Sequence, residues 1–97
     1  MKIICKENCS GKTKELIQES LDKNIPILVF NEFKKRSLEE KAMAYFSQYV
    51  KTLTLEEAKN YSGAILIDDI DKNISTIVQM LTNNSSINVA TMTLSID

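Results

Sequence analysis

The chain has 97 residues, of which 43% are hydrophobic and 26% are charged, a composition that predicts one ordinary globular domain over residues 1–97. The formal net charge of -1 argues against a dedicated nucleic-acid binder, whose affinity comes mainly from basic side chains. No apolar run approaches the roughly 18 residues that span a bilayer, and no signal-peptide core follows Met1, so we expect a cytoplasmic protein. Two cysteines without any histidine exclude the Cys/His zinc patterns.

Short apolar segments alternate with segments of helical spacing, which predicts β-α units feeding a mostly parallel sheet. The first strand is predicted at Lys2–Cys5, and after a six-residue loop a helix is predicted over Lys12–Lys23. A second strand at Ile25–Phe30 is nearly all apolar after its proline, as expected of a strand that is covered on both faces. The fold class is therefore α/β.

The middle of the chain contains a basic run and two capping signatures. Residues 34–36 (Lys-Lys-Arg) are predicted to be a solvated connection, and Ser37 with Glu40 three residues later predicts the start of the second helix. Thr54 with Glu57 predicts a short helix over residues 55–60, with a small strand as an option at residues 50–53.

The last third of the chain begins with a break at Gly63. The apolar run Ala64–Ile67 predicts a buried strand that ends in two acids, Asp68 and Asp69. A helix containing Ile74, Ile77, Val78 and Leu81 follows, and it is predicted to be closed by residues 83–84 (Asn-Asn) and preceded by Asp71 as its N-cap. The final strand is predicted at Ile87–Leu94.

The loop after the first strand matches the phosphate-loop (Walker A) pattern G-x-x-x-x-G-K-[ST] except at its first glycine, which is Lys6. Backbone N–H groups of such a loop and the N-terminus of the next helix bind a phosphate without side chains. Gly11 permits close backbone approach, Lys12 places an ammonium against the terminal phosphates, and the Thr13 hydroxyl can ligate Mg²⁺. We therefore predict a site for ATP or GTP formed by Asn8, Cys9, Ser10, Gly11, Lys12, Thr13 and Lys14.

Asp68 provides the second element of the predicted site, in the manner of a Walker B strand end. A carboxylate at the end of a buried strand can hold the water shell of the metal opposite Thr13, so the two residues are the predicted Mg²⁺ site. Thr91, Thr93 and Ser95 on the last strand could sense the terminal phosphate, although β-propensity accounts for the threonines equally well.

The run C-S-G-K-T-K-E-L-I, residues 9–17, resembles the F-S-G-K-[ST]-x-E-L-I start of the thymidine kinase family, a branch of the RecA-like P-loop proteins. Residues 27–30 resemble the second strand of that family, and residues 66–69 (L-I-D-D) resemble its I-D-E strand end. The resemblance implies a small three-layer P-loop fold with strand order 1-4-3-2 for the four main strands. It also implies that Asp69 stands where the family has a glutamate resembling a catalytic base.

Three departures separate the chain from that family. Lys6 replaces the first loop glycine at a turn where the backbone is expected to bend, Asp69 replaces the glutamate, and no zinc-bearing lasso or nucleoside pocket follows. The sequence thus favours two functions. One is an NTP-binding protein with slow hydrolysis, in which Lys12 and Asp69 are catalytic. The other is a non-catalytic interaction module that modulates another protein, of phage or mobile-element origin as an option.

The first predicted strand bears on assembly. RecA-like sheets usually carry a further strand beside the first one, and this chain provides none, so Lys2–Cys5 is expected to be an unprotected edge. We predict a homo-oligomer or a partner protein at this edge.

Overall fold

The computed structural model describes residues 1–7 and 11–96 of the chain. In the described part, five strands alternate with four α-helices, and a short 3-10 turn at Ile70–Lys72 follows the fourth strand. In chain order, the elements are β1 Lys2–Glu7, α1 Lys12–Lys23, β2 Ile27–Val29, α2 Glu32–Phe46, β3 Thr52–Thr54, α3 Leu55–Ala58, β4 Gly63–Ile67, α4 Ile74–Asn83 and β5 Ile87–Ile96.

The five strands form one parallel sheet with the order β1-β5-β4-β2-β3. The α/β class is confirmed, but this order differs from the predicted 1-4-3-2, because the sheet has a fifth strand, β3, at the edge beside β2. Three of its residues pair with β2, including Leu53 beside Leu28. The four strands of the prediction correspond to β1, β2, β4 and β5, and β3 extends the sheet beyond them.

The two faces of the sheet pack against different helices, which explains why β2 and β4 are apolar along their whole length. On one face, Leu16 and Ile17 of α1 and Leu38 and Ala42 of α2 form a buried cluster with β2 and β4. On the other face, residues of α3 and α4 pack against the same strands and β5, through Ala58, Ile77, Ile65, Ile67 and Val89. β2 is buried throughout and β4 is buried over its last three residues, and this arrangement brings the carboxyl ends of the two strands to the same edge of the sheet.

Helix α2 begins six residues before the predicted start near Ser37. Asn31 has an extended backbone, and its side chain accepts a hydrogen bond from the backbone N–H of Lys34 at 2.7 Å, which is the contact that defines an N-cap. The prediction that residues 34–36 are a solvated connection is therefore wrong, because they form the first turns of α2. The helix ends at Phe46, with Ser47 in the left-handed region, so Tyr49 lies beyond it.

The second capping signature predicts its helix correctly, whereas the N-cap assigned to Asp71 is wrong. Thr54 and Glu57 form a reciprocal capping box at the start of α3, which ends at Ala58 rather than at residue 60. Asp71 lies in the 3-10 turn, where its carboxylate accepts from the backbone N–H of Ser95 at 3.3 Å, and Asn73 is the residue that precedes α4.

Strand β1 continues through Lys6 to Glu7, two residues further than predicted. Lys6 pairs with Ser95 of β5, and its ammonium lies 3.2 Å from the Glu15 carboxylate. The expectation that Lys6 disturbs a turn is therefore wrong, because the residue lies in extended backbone, where any side chain is tolerated.

Across residues 1–7 and 11–96, no helix has both the length and the apolar character needed to cross a membrane.

Candidate phosphate site

The site begins at Gly11, which precedes α1 with φ of 84° in the left-handed region. A β-carbon built at Gly11 meets no atom within 4 Å, so the backbone angle rather than space requires glycine here. The next two residues, Lys12 and Thr13, form the first turn of the helix. Asn8, Cys9 and Ser10, predicted to contact phosphate, lie outside the described residues.

Lys12 is buried, with 5% of its surface exposed. Its ammonium donates to the backbone carbonyl of Glu7 at 3.1 Å, which ties the end of β1 to the start of α1. An ammonium removed from water needs partners, and here a carbonyl supplies one. The predicted phosphate-binding lysine is thus held at the end of β1.

The Thr13 hydroxyl faces the end of β4. Its Oγ1 donates to Oδ2 of Asp68 at 2.9 Å, across 55 residues of sequence. The other carboxylate oxygen, Oδ1, accepts from the Thr93 hydroxyl of β5 at 2.5 Å. Three elements therefore meet at one carboxylate, and the structure brings together Thr13 and Asp68 as the sequence predicts.

A residue that the sequence analysis missed completes this cluster. Lys34, in the first turn of α2, places its ammonium 2.6 Å from Oδ2 of Asp68 and 3.5 Å from Oδ2 of Asp69. The Asp68 side chain is 1% exposed and that of Lys34 is 23% exposed, so the pair is largely removed from water. Had the Asn31 N-cap been recognised, Lys34 would have been placed on the first turn of a helix that follows a central strand.

The pKa of Asp68 is set by opposing effects. Burial acts to raise the pKa, but the charge of Lys34 and the hydrogen bonds from Lys34, Thr93 and Thr13 outweigh it, and the pKa lies below its ordinary value. Asp68 therefore stays ionised.

Asp69, the predicted catalytic base, has a left-handed backbone with φ of 54°. Its N–H donates to the Thr93 hydroxyl at 2.7 Å, so Thr93 accepts from Asp69 while it donates to Asp68. Through its contact with Lys34, the Asp69 side chain belongs to the same cluster.

Three further residues that the sequence suggests as phosphate contacts lie outside the Asp68 cluster. Lys14 is exposed, and its ammonium lies 5.1 Å from the centroid of the Tyr45 ring on α2. Thr91 donates to the Glu19 carboxylate at 2.7 Å, on the α1 side of the sheet and not in the Asp68 cluster. Ser95 has a buried Oγ with no hydrogen-bond partner among the described residues.

A cavity of about 320 Å³ opens beside Lys34 at the carboxyl ends of β2 and β4. Its walls include Phe30, Phe33, Lys41 and Lys72 as well as Asp69. Crevices at the carboxyl ends of parallel strands are the usual ligand sites of open α/β sheets. Lys34, Asp68 and Asp69 of the cluster therefore line an open cavity.

The predicted Mg²⁺ site at Thr13 and Asp68 has the right donor atoms, since Mg²⁺ prefers carboxylate and hydroxyl oxygens. In this arrangement the oxygens of Thr13 and Asp68 do not fit the ion, because both Asp68 oxygens accept hydrogen bonds and the Lys34 ammonium donates to Oδ2. Residues 1–7 and 11–96 contain no group of three or more histidine, cysteine or acidic residues arranged to hold a metal.

No protein-family model, curated protein or solved structure matches the chain.

Proposed function

We propose that this protein binds the phosphate chain of a nucleoside triphosphate, ATP or GTP, at the start of α1. The observation that carries the proposal is the link between Thr13 and the buried Asp68, at 2.9 Å, directly after Gly11 and Lys12. A glycine in the left-handed region, a buried lysine and a hydroxyl on the first helical turn are the parts that a phosphate loop needs.

The lysine next to Gly11 supports an anionic ligand. Lys12 and Lys34 each bring one positive charge, and Asp68 and Asp69 each bring one negative charge, so these four charges cancel. Lys34 is paired with the two carboxylates, whereas Lys12, whose described partner is an uncharged carbonyl, is the cation available to phosphate. The N-terminus of α1, a helix of 12 residues, adds its positive dipole end.

Hydrolysis by this site is proposed to be slow. The carboxylate of Asp69 lies within reach of the Lys34 ammonium at 3.5 Å, and aspartate is one methylene shorter than the glutamate of the resembled family. A water molecule that attacks phosphate must be held in line, and misplacement by about 1 Å costs on the order of a hundredfold in rate. A nucleotide-binding measurement is thus expected to test the function better than a hydrolysis assay does.

Thermal unfolding with ATP and GTP at millimolar concentration tests the proposal. A ligand that binds only the folded state stabilises it by roughly 2.7 kcal/mol at a hundred times its Kd, so the wild type is expected to melt at a higher temperature. Lys12→Ala should remove the gain, whereas Lys23→Ala, at the exposed end of the same helix, should keep it. A wild type that does not shift with either nucleotide, or equal shifts in both variants, would show that the loop is not a phosphate site.

The second candidate function is a non-catalytic interaction module. The observation in its favour is that the carboxylate oxygens of Asp68 already have partners within the chain, so that the cluster can serve as architecture without a ligand. The same melting experiment separates the two candidates, because an architectural cluster predicts no dependence on nucleotide.

A further inference from the structure

Lys34 brings a positive charge to the position where a phosphate site usually holds its metal ion. Its ammonium and the Thr13 hydroxyl both donate to Oδ2 of Asp68, at 2.6 and 2.9 Å, so the two donors contact the same oxygen atom. Magnesium at a phosphate loop is normally held between this hydroxyl and this carboxylate. In this chain the Lys34 ammonium is the cation on that carboxylate.

The ammonium also has capacity for a further partner. A lysine carries three N–H donors, and among the described residues the partners of Lys34 are the carboxylates of Asp68 and Asp69. Its side chain is 23% exposed, in contrast to the 1% of Asp68, so a ligand can approach the lysine more readily than the carboxylate. Lysine binds phosphate well as a point charge, and hydrogen bonds between ions are roughly twice as strong as neutral ones.

We propose that Lys34 is a second phosphate-binding residue, and that its ammonium takes the place of Mg²⁺ so that the nucleotide binds without a divalent ion. The inference rests on the proposed nucleotide binding. It adds to that proposal the form in which the ligand binds, which is the triphosphate without a bound metal ion. Lys12 approaches the phosphates from the α1 side, and Lys34 approaches them from α2. Magnesium then competes with Lys34 for Asp68.

Isothermal titration of the full chain with ATP, once with EDTA and once with excess Mg²⁺, tests the inference. The wild type should bind in EDTA at least as tightly as in Mg²⁺. Lys34→Met should weaken binding in EDTA by at least about tenfold, since it removes a charge-assisted donor. Added Mg²⁺ should restore much of that loss, because the metal gains access to Thr13 and Asp68. Lys35→Met removes the same charge one residue further along α2 and should bind as the wild type does in both buffers.

Two contrary outcomes are distinguishable. If the wild type binds ATP with Mg²⁺ and loses about tenfold or more in EDTA, the role of Lys34 is wrong and nucleotide binding stands. If the wild type binds in neither buffer, both proposals fail. Should Lys34→Met not fold, Lys34→Gln keeps a donor toward Asp68 without the charge and is expected to give the same EDTA-specific loss. Wild-type affinity of the folded variant in EDTA would also overturn the inference.

Discussion

At the scale of single residues, Asp68 shows how a buried carboxylate keeps its charge. Removal from water favours the neutral acid, yet the pKa lies below its ordinary value because Lys34 supplies an opposite charge and three side chains donate hydrogen bonds. The unfolded-state pKa is about 3.9. Asp68 therefore stabilises the fold above that pH, and the contribution is lost as the pH falls toward the folded-state pKa.

Lys34→Met should reverse this pH dependence. Without the lysine, burial is the largest remaining effect, so the folded-state pKa of Asp68 should rise above about 3.9 and the folded state should prefer the protonated acid. The variant should then lose stability as the pH rises from about 4 to 7, and its deficit should reach about 3 kcal/mol near neutrality, the lower range for a broken buried ion pair. Urea unfolding across this range measures it, with Lys35→Met as control. A deficit that does not change with pH would contradict this explanation.

Thr93 is predicted to support the cluster from the sheet side. Its hydroxyl donates to Asp68 and accepts from the backbone N–H of Asp69, so Thr93→Val removes both contacts at nearly constant volume. We expect a loss of roughly 1–3 kcal/mol, the usual cost of buried polar groups left unsatisfied. Thr82→Val is the matched control, because within the described part of the chain the exposed Thr82 hydroxyl bonds only to the Val78 carbonyl of its own helix. Equal unfolding free energies for the two variants would show that Thr93 contributes nothing beyond its shape.

The sequence predicted part of this cluster and missed the rest for a physical reason. Thr13 and Asp68 follow from local patterns, a helix start after a strand and an acid at a strand end. Lys34 carries no such local signal, since its role depends on where α2 docks against the end of β4, 34 residues away along the chain. Contacts of this range are decided by tertiary packing.

At the scale of elements, the start of α2 determines whether Lys34 reaches Asp68. The Asn31 side chain caps the helix through the Lys34 N–H itself, so the cap fixes the backbone of the residue that carries the ammonium. Asn31→Ala should cost about 1 kcal/mol of unfolding free energy, and it should weaken the Lys34 contact. Ser37→Ala, at the predicted start, should cost within about 0.5 kcal/mol, because Ser37 lies inside the helix. Chemical denaturation compares the two, and a larger loss in Ser37→Ala would restore the helix start that the sequence suggests.

The two capping signatures explain why one helix start was predicted and the other was not. Thr54 is the last residue of β3 and Glu57 lies in the first turn of α3, and both hydrogen bonds of their capping box form. Ser37 and Glu40 have the same spacing, but Asn31 lies earlier in the chain, two residues after the end of β2, and starts the helix first. Helix α1 had no competing signal, and its predicted bounds, Lys12–Lys23, are those of the structure.

At the scale of the whole molecule, the parallel sheet was predictable because strands and helices alternate, whereas the place of β3 at its far edge was not. A small strand was an option at residues 50–53, and the structure has it at Thr52–Thr54, but three residues carry no periodic signal that would show that they pair with β2. The opposite edge is β1, which pairs only with β5 among the described strands. Ile4 of β1 is buried, but Ile3 on the other face is 53% exposed.

This edge is the basis of the prediction that the protein self-associates or binds a partner through β1. Backbone groups on the outer side of residues 2–6 lack a neighbouring strand in the described sheet, and an exposed edge with an apolar side chain is a template for pairing. Sedimentation velocity over a range of concentrations should therefore detect a dimer. Ile3→Lys should reduce the dimer fraction, since a charge on an edge strand opposes pairing. Ile74→Lys, at a side chain of similar exposure (55%) on α4, should leave it unchanged. A wild type that stays monomeric at high concentration, with rapid amide exchange along β1, would rule out self-pairing at this edge.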